Sequence, residues 1–169
     1  ELAEKMRMIR DHGSRVKYQH ELMGVNCRMD EMQAAVVQIK LPHLDGWNAA
    51  RQAHARFYSE QLRDTVMAVP VEKPWASHVY CYYVIQVPDR DHLMKALGQN
   101  GIGTTIHYPI PIHLQPACAR YGYGPGLLPV TEDVTTRILS LPMYPELTEE
   151  QRQLVVNAVK KNVMSNVSY

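Results

Sequence analysis

Three short stretches of this chain carry side chains whose types and spacing suit chemistry. The first is GVNCRMDEMQAA, residues 24–35, where Asn26 and Arg28 stand immediately ahead of a helix signal. Unpaired backbone N–H groups and the dipole at a helix start favour an anion. An asparagine amide and a planar guanidinium are donors suited to phosphate or carboxylate. The same pair also reads as a turn asparagine and a solvated arginine, and spacing alone does not separate the two. The second stretch is HYPIPIH, residues 107–113, where prolines hold an extended backbone that can present His107 and Tyr108 to a ligand. Its two histidines have no carboxylate between them, so a metal site has no support, and each also reads as a structural histidine. The third is the loop carrying His12, Lys17, Tyr18 and His20, basic and aromatic enough to close over a phosphorylated ligand or to form an exposed interface. Cys27 has no base placed to activate it and reads as an inert thiol.

The elements that must position these residues follow from periodicity. Leu2, Met6 and Ile9 share a helical stripe that stops at Asp11-His12-Gly13, with Gly13 in the left-handed closing position. Residues 14–28 read as an irregular polar loop. A helix restarts at Asp30, its expected cap, with Gln33 three residues on, and Met32, Val36 and Ile39 form a core stripe. Pro42 interrupts it, after which Leu44, Trp47, Ala50, His54 and Phe57 carry an apolar face to about Arg63. Strands are expected at 66–71, at 78–87, where Tyr80, Tyr82 and Tyr83 pack the sheet, at 103–107, and at 139–142 as an edge. Helices are expected from Asp89 or Asp91 to Asn100, from Thr131, and from the capping box Thr148-Glu-Glu-Gln151 to about Val163. The fold class is α+β: a helical arm with its loop over residues 1–63, then a small domain over 64–169 on a mostly antiparallel sheet flanked by helices.

Composition excludes several classes of function. Eighteen basic residues against 17 acidic ones, a net charge of +1, leave no electrostatic footprint for nucleic acid. No apolar run approaches the roughly 20 residues that span a bilayer. Cys27, Cys81 and Cys118 are widely spaced without a CxxC pair, as expected of reduced thiols in the cytoplasm.

Taken together, the segments resemble one family, the DegT/StrS-type sugar aminotransferases of the aspartate aminotransferase superfamily, which use pyridoxal phosphate. The matching pieces are His12-Gly13, Lys17-Tyr18-x-His20, Gly24-x-Asn26-x-Arg28 with Met29-Asp30-Glu31-Met32-Gln33-Ala34-Ala35, Lys40-Leu41, Trp47-Asn48-x-x-Arg51 and His78-Val79-Tyr80. They continue through residues 101–109, 111–115 and 139–142. The resemblance implies the C-terminal part of a pyridoxal-phosphate transferase fold. It implies that Asn26 reaches across a dimer interface to the cofactor phosphate of the neighbouring subunit, with Arg28 beside it on phosphate or the carboxylate of glutamate, the amino donor. His107 and Tyr108, and with them Lys17, Tyr18 and His20, are implied on the nucleotide-linked keto-sugar. Cys81 stands where relatives often have a polar residue.

The family carries its catalytic lysine in a large N-terminal domain, and none of the seven lysines here lies in that context. The chain opens mid-helix without an initiator methionine. The expectation is therefore a C-terminal portion with no catalytic residue of its own, inactive and without bound cofactor when alone. It would self-associate through the helical arm, whose stripes the missing domain leaves exposed. The alternative is a stand-alone, non-catalytic oligomerising domain.

Overall fold

The computed structural model describes residues 1–27 and 29–164, arranged as two compact units, residues 1–44 and 45–169. This division falls earlier than the 63/64 boundary expected from sequence, because the helix after Pro42 contributes to the core of the second unit.

The first unit begins with α1 (Leu2–Arg10), and its chain reverses through His12 and Gly13, both at positive φ. The Gly13 N–H returns to the Met8 carbonyl at 2.7 Å, closing the helix as the glycine pattern implied. The expected irregular loop is instead a small antiparallel hairpin, β1 (Ser14–Val16) with β2 (Gln19–His20). Its tight turn places Tyr18 at φ 70. The unit ends with α2 (Glu31–Lys40), capped by Asp30, and a 3-10 turn over Leu41–His43 that begins at the Pro42 interruption. The α2 stripe is not core here: Met32, Val36 and Ile39 are 80%, 51% and 72% exposed, and Leu2 and Met6 of α1 are exposed as well. Among the described residues of this unit, no second apolar layer covers them.

The second unit is built on α3 (Leu44–Leu62), β3 (Tyr83–Gln86), α4 (Arg90–Gln99), α5 (Pro129–Arg137), β4 (Ile138–Leu141) and α6 (Glu149–Met164). β3 and β4 pair antiparallel, with Tyr83 opposite Leu141 and Gln86 opposite Ile138. Single bridges extend the ladder on both sides, Ala68 to Gln86 and Thr105 to Ser140. The strands expected over 66–71 and 103–107 are thus reduced to one paired residue each. The long strand expected over 78–87 is only four residues, because Tyr80 adopts φ 49 and turns the chain before Tyr83. β4 is the strand expected at 139–142, but it is paired on both sides and is not an edge.

Tyr58, Leu62, Tyr83, Ile85, Leu97, Leu139 and Val156 form the centre of the core. The Tyr58 and Tyr83 rings pack with centroids 5.2 Å apart. Burial pushes the Tyr83 phenol up to about 12, so it stays a neutral hydroxyl paired with Ser59 Oγ at 2.8 Å. Two side chains of α3 reach loop carbonyls: the Tyr58 hydroxyl donates to that of Pro142 and His54 Nε2–H to that of Pro145. Asp89 caps α4 through the His92 N–H, and Thr148 and Gln151 form the reciprocal capping box of α6 at 3.2 and 3.0 Å. The result is α+β, a small antiparallel sheet flanked by helices.

Burial differs sharply between the two apolar stripes, and so should mutational cost. Leu139→Ala is expected to lower unfolding stability by about 2–5 kcal/mol, and Val36→Ala by no more than about 0.5 kcal/mol. Urea titrations of the two variants check this.

Candidate functional site

Asn26 is positioned by two glycines. A β-carbon on Gly24 would stand 2.0 Å from the Gly13 nitrogen and 2.7 Å from the Ile9 carbonyl oxygen. One on Gly13 would stand 1.7 Å from the Leu22 carbonyl oxygen. The chain after the hairpin therefore passes in backbone contact with the end of α1, which only glycine permits. Three hydrogen bonds fix it there: Val25 N–H to Ile9 O at 2.8 Å, Cys27 N–H to Arg10 O at 2.9 Å and His12 N–H to Val25 O at 3.1 Å. Asn26 thus faces Asp11 as an antiparallel bridge, with its side chain exposed.

The α2 N-terminus lies a few residues on and is capped by Asp30. The Asp30 carboxylate accepts the Met32 N–H at 2.9 Å and puts its own negative charge at the helix start. Asn26 lies ahead of this helix start, and Arg28, the other expected donor, lies outside the described residues.

The hairpin separates the other candidates of the first unit into two roles. The His12 carbonyl accepts from His20 Nδ1 at 2.9 Å, and the same nitrogen lies 2.9 Å from Ser14 Oγ. That edge of the imidazole closes the hairpin. Lys17 and Tyr18 are exposed at its tip, the ammonium 5.1 Å from the ring centroid.

His107 and Tyr108 belong to the second unit. His107 Nδ1 is 2.7 Å from Ser140 Oγ, and the ring stacks on Tyr82 with centroids 3.8 Å apart at 34°. Tyr82, assigned to sheet packing from sequence, is instead 48% exposed and serves as this platform. Beside the pair lies a cleft of about 190 Å3, lined also by Cys81, Thr104, Thr105, Pro142 and Met143. Tyr108, just beyond, has φ 59 and a 76% exposed side chain. A bulky residue in this conformation ahead of a proline is strained, and such strain gathers at functional positions.

His113 is buried, and its Nε2 lies 2.9 Å from Glu132 Oε1. The same carboxylate accepts the N–H groups of Gly126 and Leu128, so one side chain ties the 3-10 turn Ile112–Leu114, the 122–128 loop and α5 together. Sequence reading missed Glu132, Ser140 and Tyr82. Glu132 stands in the first turn of a helix that opens on a proline, a position for an N-terminal carboxylate; Ser140 is the polar residue of an otherwise apolar strand.

This arrangement, a two-strand ladder with its helices preceded by a helical arm and hairpin, is that of the C-terminal portion of a pyridoxal-phosphate transferase fold. The family model for DegT/DnrJ/EryC1/StrS aminotransferases matches residues 1–160, and the chain belongs to that family. The chain is 48% identical over 162 residues to a pleiotropic regulatory protein of Geobacillus stearothermophilus, covering 94% of this chain and 44% of that protein. It is 43% identical to the dTDP-3-amino-3,4,6-trideoxy-alpha-D-glucose transaminase of Streptomyces venezuelae, covering 95% and 43%. Among solved structures it matches S. venezuelae DesV, crystallised with a ketimine intermediate, at a TM-score of 0.89 and 43% identity, again over 95% and 43%. The chain spans less than half the length of these relatives.

The Glu132 clamp is testable by pH. The Gly126 N–H, then His113, hold its carboxyl below the ordinary value of 4.5. Its contribution to stability is therefore fully present above that value and is lost as pH falls through the lower, folded one. Thermal melts between pH 7 and pH 3 should show stability falling more steeply in the native chain than in Glu132→Gln below about pH 4.5. Equal slopes would contradict the clamp.

Proposed function

We propose that this chain is the C-terminal portion of a pyridoxal-phosphate-dependent aminotransferase that moves an amino group from glutamate to a nucleotide-linked keto-sugar in the cytoplasm. The observation that carries this reading is the match to a sugar-nucleotide transaminase across 95% of this chain and 43% of that enzyme. The lysine and the large domain that complete the site then lie in the part of the polypeptide preceding residue 1.

The residues of the first unit fit a phosphate approached from outside the chain. Asn26 is exposed on a backbone pinned by glycine contacts, which lowers the cost of ordering that segment against a neighbour's ligand. With Asp30 occupying the helix end, Asn26 and Arg28 supply the donors, Arg28 on phosphate or the glutamate carboxylate. Pyridoxal phosphate, when bound, supplies the electron sink for the carbon that exchanges its proton. Lys17 and Tyr18, at the hairpin tip, and His20, which shapes it, border the sugar-nucleotide. His107 and Tyr108 face the sugar. The exposed stripes Leu2–Met6 and Met32–Val36–Ile39 serve as the dimer and domain surface.

Two measurements test this. Incubation with pyridoxal phosphate followed by borohydride reduction and mass spectrometry should leave this chain without a specific adduct. One pyridoxyl group on one lysine would overturn the placement of the catalytic lysine outside the chain. By light scattering the chain should self-associate, and Met32→Lys with Ile39→Lys should shift it toward monomer. A monodisperse monomer of the unaltered chain would contradict the role of the arm.

A further inference from the structure

The contact between Ser140 and His107 can run in either direction, and the burial of Ser140 favours the hydroxyl as donor. Ser140 is 5% exposed, and its hydroxyl proton needs an acceptor. Its backbone is already engaged, the N–H donating to the Thr105 carbonyl at 2.9 Å and the carbonyl accepting from the Thr105 N–H at 3.3 Å. Among the described residues, the acceptor in reach of the hydroxyl is His107 Nδ1, at 2.7 Å. With the hydroxyl donating, that ring nitrogen carries no proton and the imidazole bears its proton on Nε2. The Tyr82 ring at 3.8 Å fixes the plane of the imidazole. Rotating that plane would break the stack and leave the Ser140 hydroxyl buried without a partner, a penalty larger than the bond itself is worth.

The cleft next to this pair has a distinct chemistry. Its lining offers Thr104, Thr105 and Cys81 against the apolar Leu141, Pro142 and Met143, and includes no lysine or arginine. Within this chain, that lining offers a hydroxyl or carbonyl oxygen small polar groups and one donor.

We propose that Ser140 and Tyr82 are positioning residues that hold His107 in its Nε2–H form, presenting a single donor to an uncharged oxygen of the sugar. The ligand rests on the nucleotide-sugar reading above; the state of the imidazole does not.

The test is long-range 1H–15N NMR of the histidine-labelled longer polypeptide, with its large domain present, alone and titrated with thymidine diphosphate glucose, with thymidine diphosphate as control. The native protein should show the Nε2–H tautomer at His107. Ser140→Ala should lose that preference, Tyr82→Phe should keep it, and Tyr82→Ala should weaken it. The diphosphate glucose should move the His107 signal, the diphosphate alone should not, and Ser140→Ala should weaken the sugar-dependent response by roughly 3- to 10-fold, the worth of one hydrogen bond. An Nδ1–H tautomer in the native protein overturns the proposal whatever the variants do. So does an unchanged tautomer in Ser140→Ala, or an equal response to the diphosphate alone. The expected tautomer with no response to either ligand supports the positioning and overturns the nucleotide-sugar reading.

Discussion

β4 is four residues long and buried on both faces, and the second unit is arranged around the consequences. Leu139 and Leu141 fill the core on one face, while β3 and Thr105 pair with its backbone on either side. The residue between the leucines must then find room and a partner on the other face. It is a serine, and a buried hydroxyl there cannot be left unsatisfied without cost. His107 answers it. The segment that follows, from Tyr108 through the prolines, is thereby tied to the most buried strand of the molecule. A candidate binding residue is thus held by the core and not by its own loop, which is how a site keeps its geometry while its surroundings remain exposed.

The first unit solves the same positioning problem without a core. Its apolar side chains are largely exposed, so packing cannot place Asn26. Backbone does it: two glycines let the chain lie against the end of α1, and three hydrogen bonds lock the register. The backbone at Asn26 is thereby fixed while the flanking apolar stripes remain exposed. Asp30 adds a second constraint by capping the α2 start through the Met32 N–H.

Much of this was legible in the sequence, for identifiable reasons. Helices with strong local signals were readable: Gly13 as a stop, Asp89 and Asp30 as caps, Thr148 with Gln151 as a capping box. Strand lengths were not, because β-propensity at 78–87 says nothing of the positive φ at Tyr80 that ends pairing. The stripe Met32–Val36–Ile39 has the periodicity of a core face but finds no cover within residues 1–44. Periodicity reports an apolar face and not what buries it. The Asn26 and His107 segments were found as motifs, yet the groups that position them, Gly24 against Gly13 and Ser140 with Tyr82, depend on contacts between distant parts of the chain. Tyr82 in particular has the composition of a packing residue and lies on the exposed side.

The central claim is that this chain lends Asn26 to an aminotransferase site in a neighbouring subunit. Mixed dimers of the longer polypeptide test it most directly, pairing one protomer carrying Asn26→Ala with one whose catalytic lysine is replaced by alanine, and assaying amino transfer from glutamate to a nucleotide-linked keto-sugar. Each variant alone should be impaired, and the mixture should regain activity, because one site per mixed dimer then combines an intact lysine with an intact Asn26 from its partner. Mixed dimers that form but recover nothing would show that Asn26 serves its own subunit or no site at all, and would contradict the account.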